Sequence, residues 1–279
     1  MDARDCVANG DPEQRFVDVF RIAARQAGSV TRRLQAEVRL HTKSGKATAE
    51  GAALTAVDLA VQDLILQLLH VALPEAAIDA EEDTDTVRLF PPAAPGRPLI
   101  VLDPVDGTLN FARQSENYAV MGAWLSEGFY RAAVVYFPAW RRIFWARKGQ
   151  GCWAQVDGQH PVRVRADTRP PKIFVTRGIS QAHRDALRAL DLEMERSGCS
   201  GVDATAPITG KAACAVSGPR PGRRRTLGFL LTLEAGGTVR FGDRDWDGRD
   251  PALLRENRKP VLVAGSAELA DRLSAALDR

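Results

Sequence analysis

The residues best suited to chemistry lie in one short acidic segment, Leu102-Asp103-Pro104-Val105-Asp106-Gly107-Thr108. Asp103 and Asp106 follow an apolar run that predicts a buried strand, and the proline between them restricts the turn. Carboxylates packed close together repel one another unless a cation neutralises them. Oxygen ligands of this kind suit Mg²⁺, which commonly keeps several waters and binds substrate phosphate. The segment therefore predicts a magnesium site at the end of a strand.

Gly107 and Thr108 add the groups that a phosphate needs. Glycine lets the backbone approach closely, the start of a helix offers N–H donors, and Thr108 supplies a hydroxyl. The same residues could instead form an ordinary turn, in which Asp103 and Asp106 cap a helix and bind nothing. The Asp-x-x-Asp spacing does not separate these two interpretations, whereas the longer string around it is more specific.

The nine residues from Asp103 to Phe111 resemble the signature of the inositol monophosphatase superfamily, Asp-Pro-Ile/Leu-Asp-Gly-Thr-Thr/Leu-Asn-Phe. The resemblance continues in order along most of the chain, through a Thr-x-x-Asp helix start, a Glu-Glu pair, a strand-rich stretch ending near Val162, and Glu234-Ala235-Gly236-Gly237. It implies an α/β fold, the five-layer α-β-α-β-α sandwich of the inositol monophosphatase and fructose-1,6-bisphosphatase type. It also implies a Mg²⁺-dependent phosphomonoesterase that commonly forms a homodimer.

Carried over by position, the resemblance implies a set of metal ligands. Glu81, Asp103 and the backbone carbonyl of Val105 would hold one Mg²⁺, and Asp103 and Asp106 would bridge towards a second. Two such cations lower the pKa of a bound water and stabilise the charge that develops on the phosphoryl oxygens.

The resemblance also implies the catalytic groups. Glu81 and Thr108 would orient and deprotonate the attacking water, with Asp58 assisting, while Gly107 and Thr108 would bind the substrate phosphate. Two of these residues have simpler interpretations. Glu81 could belong to a solvated acidic loop, and Asp58 could serve only as a carboxylate in the first turn of a helix.

One part of the family pattern is absent. Family members usually carry Trp-Asp-x-Ala-Ala-Gly before the helix that ends in Glu-Ala-Gly-Gly, and that aspartate completes the second metal site. Counting back from Glu234 places Arg223 and Arg224 at these two positions. The pair Trp246-Asp247 lies too late in the chain, and we interpret it as a surface turn. Asp203 is a possible substitute, although its segment has no clear place in the pattern.

Arg224 then has two physical interpretations. Its guanidinium could hold the substrate phosphate directly in place of the second cation. It could instead neutralise Asp103 and Asp106 as an internal ion pair and leave a protein that binds phosphate without turning it over. We favour retained or altered activity, because Glu81, Asp103, Asp106 and Thr108 are all present.

The remaining sequence predicts the elements that position these groups. Apolar residues at helical spacing predict a first helix from 13 to about 40 and, after a loop at 43–46, a second helix capped by Thr55 and ending before Pro74. Further helices are predicted at 181–196, 226–235 and 267–277. Strands are predicted at 78–81, 98–102, 118–125, 131–137, 142–146, 151–154, 172–176, 238–241 and 260–264. A change of composition near 164–171 predicts two domains, residues 1–165 and 166–279.

The composition of the chain limits its possible partners and its cellular location. A net charge of +3 over 279 residues favours no nucleic-acid partner, and the basic run 220–225 is interpreted as a solvated loop. The four cysteines show no metal-binding spacing, the N-terminal residues carry no apolar signal region, and no stretch of about 18 apolar residues occurs. We therefore expect a cytoplasmic protein that does not contact membranes.

The predicted partner is a small phosphorylated metabolite, an inositol phosphate or a similar ester. Two alternatives stay open at this point: a phosphatase removing the 3′-phosphate of adenosine 3′,5′-bisphosphate, and a catalytically silent homologue that binds a phosphate ligand. An aromatic platform beside the acidic cluster would favour the nucleotide.

Overall fold

The computed structural model describes residues 11–42, 47–176, 178–219, 222–253 and 259–278, with the backbone alone at residues 37–42, 47–55 and 253. The helices are α1 Pro12–Thr42, α2 Ala47–Ala72, α3 Thr108–Ala112, α4 Gln181–Arg188, α5 Ser200–Ala204, α6 Ala206–Thr209, α7 Phe229–Glu234 and α8 Ala267–Leu277. Short 3₁₀ turns lie at Asp85–Leu89, Arg223–Thr226 and Pro251–Leu253.

Two sheets form the centre of the molecule. The first contains β1 Ala77–Asp79, β2 Leu99–Asp106, β3 Ala119–Ser126, β4 Phe129–Phe137, β5 Arg142–Arg147, β6 Cys152–Val156 and β7 Val162–Val164, paired in chain order. The second contains β8 Lys172–Val175, β9 Glu193–Glu195, β10 Cys214–Ser217, β11 Thr238–Phe241, β12 Arg244–Asp245 and β13 Val261–Ala264, in the order β12-β11-β13-β10-β8-β9. In the first sheet β1 pairs with β2 in parallel and the other pairs are antiparallel.

The alternation of side chains across each strand generates the layers. On one face of the first sheet, Ile100, Val120 and Val134 pack with buried residues of α1 and α2 such as Phe16, Phe20, Val61 and Ile65. On the other face, Val101, Met121 and Val135 share a core with α5, α6, α7 and inward residues of the second sheet. The far face of the second sheet packs against α4 and α8. The result is the predicted five-layer α-β-α-β-α sandwich.

Most predicted elements are confirmed, and three helix predictions are wrong in extent. The second helix begins at Ala47, so Thr55 lies inside it rather than at its cap. The helix predicted over 181–196 ends at Arg188. Beyond that point Leu192 and Met194 alternate with exposed residues, the pattern of a strand, and β9 pairs with β8 in parallel.

The apolar stretch predicted as one helix over 226–235 is divided. Its first part belongs to the 3₁₀ turn Arg223–Thr226, and α7 covers only Phe229–Glu234. The glycine stop after it is confirmed, since Gly236 has φ 85°, a conformation that favours glycine. The loop predicted at 43–46 lies outside the described residues, and the division into two domains stays a prediction.

In the part of the chain that the structure describes, no helix combines the length and the apolar character needed to cross a membrane.

Candidate metal and phosphate site

The parallel pairing of β1 and β2 brings the acidic residues together. Asp79, the last residue of β1, pairs with Val101, and Glu81 two residues later lies close enough to Asp103 for its charge to raise the pKa of that carboxyl. The carboxyl ends of parallel strands meet at one edge of a sheet, where ligands commonly bind. Glu81 and Asp103, which come from two separate stretches of sequence, therefore lie close together.

Asp103 is the most buried of these carboxylates. Its side chain is 6% exposed, and its Oδ1 atom has no hydrogen-bond partner. Burial, followed by the negative charges of Asp106, Glu81 and Asp58, raises the pKa of Asp103 well above its ordinary value. A buried, unsatisfied carboxylate oxygen among like charges is costly unless a ligand completes it.

Asp58 lies beside this cluster on α2. It is 8% exposed, and burial together with the charges of Glu81 and Glu82 raises its pKa to about 7. One turn further along the helix, the buried Gln62 donates to the Glu82 carbonyl at 2.6 Å and accepts from the Glu82 backbone N–H at 2.9 Å. Gln62 therefore ties the segment that carries Glu81 to the helix that carries Asp58.

The turn after Asp103 has a backbone geometry that requires glycine at position 107. The register of β2 shifts between Asp103 and Asp106, and Gly107 has φ 86°. A Cβ at Gly107 would lie 2.9 Å from the Asn117 carbonyl oxygen, so a larger residue does not fit. The Thr108 hydroxyl donates to the Val105 carbonyl at 3.1 Å, so the predicted water-orienting residue contacts a predicted metal ligand.

Asp106 turns towards a different partner, the segment 199–201. Its Oδ2 accepts from the Gly201 backbone N–H at 2.6 Å and from the Cys199 thiol at 2.8 Å, and its Oδ1 accepts from the Ser200 hydroxyl at 2.8 Å. Burial and the charge of Asp106 raise the pKa of the Cys199 thiol, which keeps it protonated as a donor. Asp106 is thus held by three hydrogen bonds, unlike Asp103.

Asp203, the residue without a clear place in the pattern, lies on α5 next to Asp106. Its Oδ1 accepts from the Ser197 hydroxyl at 2.5 Å. Burial raises the pKa of Asp203 to about 7, the Ser197 hydrogen bond opposes that rise, and the charge of Asp106 adds to it. The structure therefore places a third aspartate beside the Asp103–Asp106 turn, although not at the position the family pattern uses.

Arg224 does not neutralise the acidic cluster, so that interpretation is wrong. It lies at the carboxyl end of β1, pairs with Asp79 at 3.2 Å and donates to the Ala80 carbonyl at 3.1 Å. Its neighbour Arg223 pairs with Asp79 at 3.1 Å and with the buried Asp250 at 2.8 Å. We call these four side chains (Asp79, Arg223, Arg224, Asp250) the arginine clamp.

The Trp246-Asp247 pair plays no part in the site. Trp246 is buried against Tyr130, Phe229 and Phe241. Asp247 is exposed and accepts from the Arg249 backbone N–H within its own turn. The predicted surface turn is confirmed only in part, because Asp247 is exposed whereas Asp245 ends β12 and Trp246 belongs to the core.

The chemistry of the donor set fits a hard divalent cation. Asp103 offers an oxygen without a partner, the Val105 carbonyl keeps a second lone pair, and Glu81 is exposed close to Asp103. As the side chains stand, no three His, Cys, Asp or Glu residues of the described ranges form a ready-made metal cage. Metal binding would therefore need these side chains to rearrange.

A cavity of about 720 Å³ opens on the other side of Asp106. It lies between the end of α3, the segment 196–200 and the second sheet, and Asp203, Arg113, Arg196 and Arg225 are among its lining residues. The one aromatic residue among its described lining is Phe229, which is 3% exposed. No exposed aromatic platform of the kind that would favour a nucleotide is therefore found in the described part of the cavity.

Sequence reasoning missed several residues that shape the site. Gln62 carried a detectable signal, since it is a polar residue on the apolar face of α2, one turn from Asp58. The donors to Asp106 carried none, and neither did Arg196 and Arg225, because these residues reach the acidic turn only through tertiary packing. Arg113 follows α3 directly, but nothing in its local sequence indicates that it lines a cavity.

Comparison with known proteins finds a family match along most of the chain. The model of the inositol monophosphatase family matches residues 13–277. Histidinol-phosphatase of Mycobacterium tuberculosis is 36% identical over 110 residues, which are 39% of this chain and only 40% of that protein. The Nus factor SuhB of Salmonella typhimurium is 28% identical over 239 residues, covering 81% of this chain and 85% of that protein.

The fold has known counterparts as well. The structure of inositol monophosphatase from Anabaena superposes with a TM-score of 0.69 at 24% identity, covering 95% of this chain and 96% of that one. The described fold, the acidic turn and the family match along nearly the whole chain lead to one conclusion. The chain belongs to the inositol monophosphatase family.

Proposed function

We propose that this protein is a Mg²⁺-dependent phosphatase that hydrolyses a small phosphate monoester. The observation that carries the proposal is the buried Oδ1 of Asp103, which has no hydrogen-bond partner and lies among like charges. Such an arrangement is unfavourable in the free protein and becomes favourable when a cation binds. Glu81, Asp103 and the Val105 carbonyl would hold Mg²⁺, which supplies charge stabilisation and an acidified water.

The chain's own residues have separate tasks in this proposal. Thr108 is held at the Val105 carbonyl and orients the attacking water, and Glu81 accepts the proton from that water. Asp58, next to Glu81, supports it in this role. The Gly107 backbone, in its left-handed conformation, lets the phosphate approach the start of α3.

Asp106 and Arg224 decide how many cations take part. To bridge a second Mg²⁺, Asp106 would have to exchange hydrogen bonds from residues 199–201, and the usual third aspartate is replaced by an arginine committed to Asp79. These two facts favour one tightly held cation. They are also the observations that favour the alternative, a silent homologue that binds a phosphate ligand without hydrolysing it.

The test follows phosphate release from inositol 1-phosphate, histidinol phosphate, fructose 1,6-bisphosphate and adenosine 3′,5′-bisphosphate, with Mg²⁺ or with chelator. We expect Mg²⁺-dependent release that disappears in Asp103→Asn and persists in Asp247→Asn, a matched change at an exposed turn carboxylate. Absence of release from every ester, combined with absence of Mg²⁺ binding by calorimetry, would overturn the proposal. Phosphate binding without release would establish the silent homologue.

The partner, the cellular location and the oligomeric state are also parts of the proposal. A small phosphorylated metabolite is the proposed partner, with no nucleic acid and no membrane. The cysteines Cys152, Cys199 and Cys214 are free and buried, which is compatible with the proposed cytoplasmic location. The proposed homodimer is tested by light scattering after size-exclusion chromatography.

A further inference from the structure

Three arginines converge on the cavity beside Asp106 from separate parts of the chain. Arg113 follows α3, Arg196 precedes the segment that holds Asp106, and Arg225 lies in the 3₁₀ turn before α7. All three are exposed at the cavity. The lining of the cavity therefore contains three cationic side chains from three separate elements.

These guanidinium groups form no ion pairs with carboxylates of the described residues. The arginines of the clamp nearby form ion pairs with Asp79 and Asp250, whereas Arg113, Arg196 and Arg225 form none within the ranges that the structure describes. An arginine fork has a geometry that matches phosphate and carboxylate oxygens, and it is most effective inside a cavity where water is partly excluded.

The two acidic residues that line the cavity are committed elsewhere. Asp106 accepts three hydrogen bonds from residues 199–201, and Asp203 accepts one from Ser197. Neither forms an ion pair with a cavity arginine among the described residues, although the charge of Arg196 acts to lower the pKa of Asp203. Arg113 and Arg225 are therefore the cations most available to a ligand, and Arg196 can contribute from beside Asp203.

The rest of the cavity suits the body of a small metabolite. Its volume of about 720 Å³ is within the usual range for small-molecule sites. Val175, Ala215 and Val263 contribute apolar surface, and the backbones of Gly178 and Gly218 lie close together without side chains between them. Because Asp106 and Asn110 line the cavity and belong to the acidic turn and α3, a ligand can extend from the phosphate site into it.

We propose that this cavity binds a second anionic group of the substrate, a phosphate or a carboxylate, through Arg113, Arg196 and Arg225. The preferred substrate is then a phosphate monoester whose leaving group itself carries negative charge. This inference rests on the proposed phosphatase activity and narrows its substrate class. It disfavours histidinol phosphate, whose leaving group carries a positive amine, and inositol 1-phosphate, whose leaving group is neutral.

The test uses pairs of esters that differ in the second anion. Fructose 1,6-bisphosphate is compared with fructose 1-phosphate, and 3-phosphoglycerate with glycerol 3-phosphate, so that a second phosphate and a carboxylate are examined separately. In at least one pair, we expect kcat/KM to be at least about tenfold higher for the ester that carries the second anionic group. A charge-assisted hydrogen bond commonly contributes that much. Added salt should reduce this ratio.

Variants then locate the effect. Arg113→Gln, Arg196→Gln and Arg225→Gln should each reduce the ratio within the preferred pair, by about tenfold for the arginine that contacts the anion directly. Arg165→Gln is the matched control, because Arg165 is exposed and does not line the cavity. Equal ratios in wild type and all variants, with phosphate release intact, would overturn the cavity assignment and leave the proposed activity standing.

A binding measurement separates the two proposals if no ester is hydrolysed. Calorimetry with fructose 1,6-bisphosphate and fructose 1-phosphate, in chelator, reports the cavity without requiring turnover. Tighter binding of the bisphosphate that is lost in the cavity variants would support the anion site while the phosphatase proposal fails. Equal and weak binding of both sugars would overturn the anion site as well.

Discussion

The acidic cluster and the arginine clamp lie next to each other at the carboxyl end of β1, yet they are built on opposite principles. In the clamp, two arginines face two aspartates, and every charged group has a partner within 3.2 Å. In the cluster, which we take as Asp58, Glu81 and Asp103, burial and then neighbouring carboxylates raise the pKa values of Asp58 and Asp103, and Asp103 keeps an unpaired buried oxygen.

This difference shows which region stabilises the fold and which is suited to binding a ligand. A balanced ion-pair network can hold elements in place without any ligand. The clamp joins β1, the 3₁₀ turn before α7 and Asp250. A cluster of one sign costs folding free energy, so a fold that keeps it does so for a ligand. We therefore assign stability mainly to the clamp and chemistry mainly to the cluster.

The largest expected effect is on catalysis. Asp103→Asn removes the charge that would bind Mg²⁺ and should reduce phosphate release by at least about 100-fold. The same change relieves repulsion within the cluster, so the free energy of unfolding of the metal-free protein should not fall. A phosphate-release assay and urea unfolding measure the two quantities. A large loss of stability with retained activity would reverse our assignment of the cluster.

Arg223→Ala should have the opposite profile. It leaves Asp250, which is 4% exposed, without its guanidinium partner, and the free energy of unfolding should fall by about 2 kcal/mol. Urea unfolding without metal is the measurement, and Arg165→Ala, an exposed position outside both regions, is the control. An unchanged midpoint would show that the clamp does not stabilise the fold.

The pH dependence of the free energy of unfolding distinguishes the acidic cluster from the arginine clamp without a mutation. Because the pKa of Asp58 is raised from 3.8 to about 7, the folded metal-free protein binds a proton that the unfolded chain releases in this interval. The cluster's contribution to stability is therefore greatest below about pH 4 and is lost as pH rises through 7, by at most about 4 kcal/mol. Saturating Mg²⁺ should remove this decline. Chemical unfolding measured from about pH 5 to about pH 8, with Asp58→Asn as the control, tests whether stability falls as pH rises.

The smallest expected effect concerns Arg224. Its side chain is 39% exposed, so Arg224→Ala should lower the free energy of unfolding by only about 0.5 kcal/mol. Phosphate release should change little by comparison with Asp103→Asn, because Arg224 contacts Asp79 and the Ala80 carbonyl rather than the acidic turn. A loss of activity comparable to that of Asp103→Asn would show instead that Arg224 binds the substrate phosphate.

Much of the fold was predictable because its elements carry strong local periodicity. The first helix buries Phe16, Phe20 and Ala23 at helical spacing, and β2 to β4 alternate between two cores. The wrong predictions lie where local pattern was weak. Residues 190–196 could extend a helix by composition, and only the parallel pairing of β9 with β8 decided otherwise.

For the site, the sequence by itself determined the chemical groups: the carboxylates of Glu81, Asp103 and Asp106, the glycine that the turn at 107 requires, and the arginine in place of the usual aspartate at 224. Their partners were decided only by the tertiary structure. Asp106 is held by residues 199–201, Arg224 pairs with Asp79, and arginines from three separate elements line one cavity. The physical reason is that a residue's type and its neighbours in the chain set what it can donate, accept or ionise, whereas packing of the two sheets across the central helices sets which group it meets.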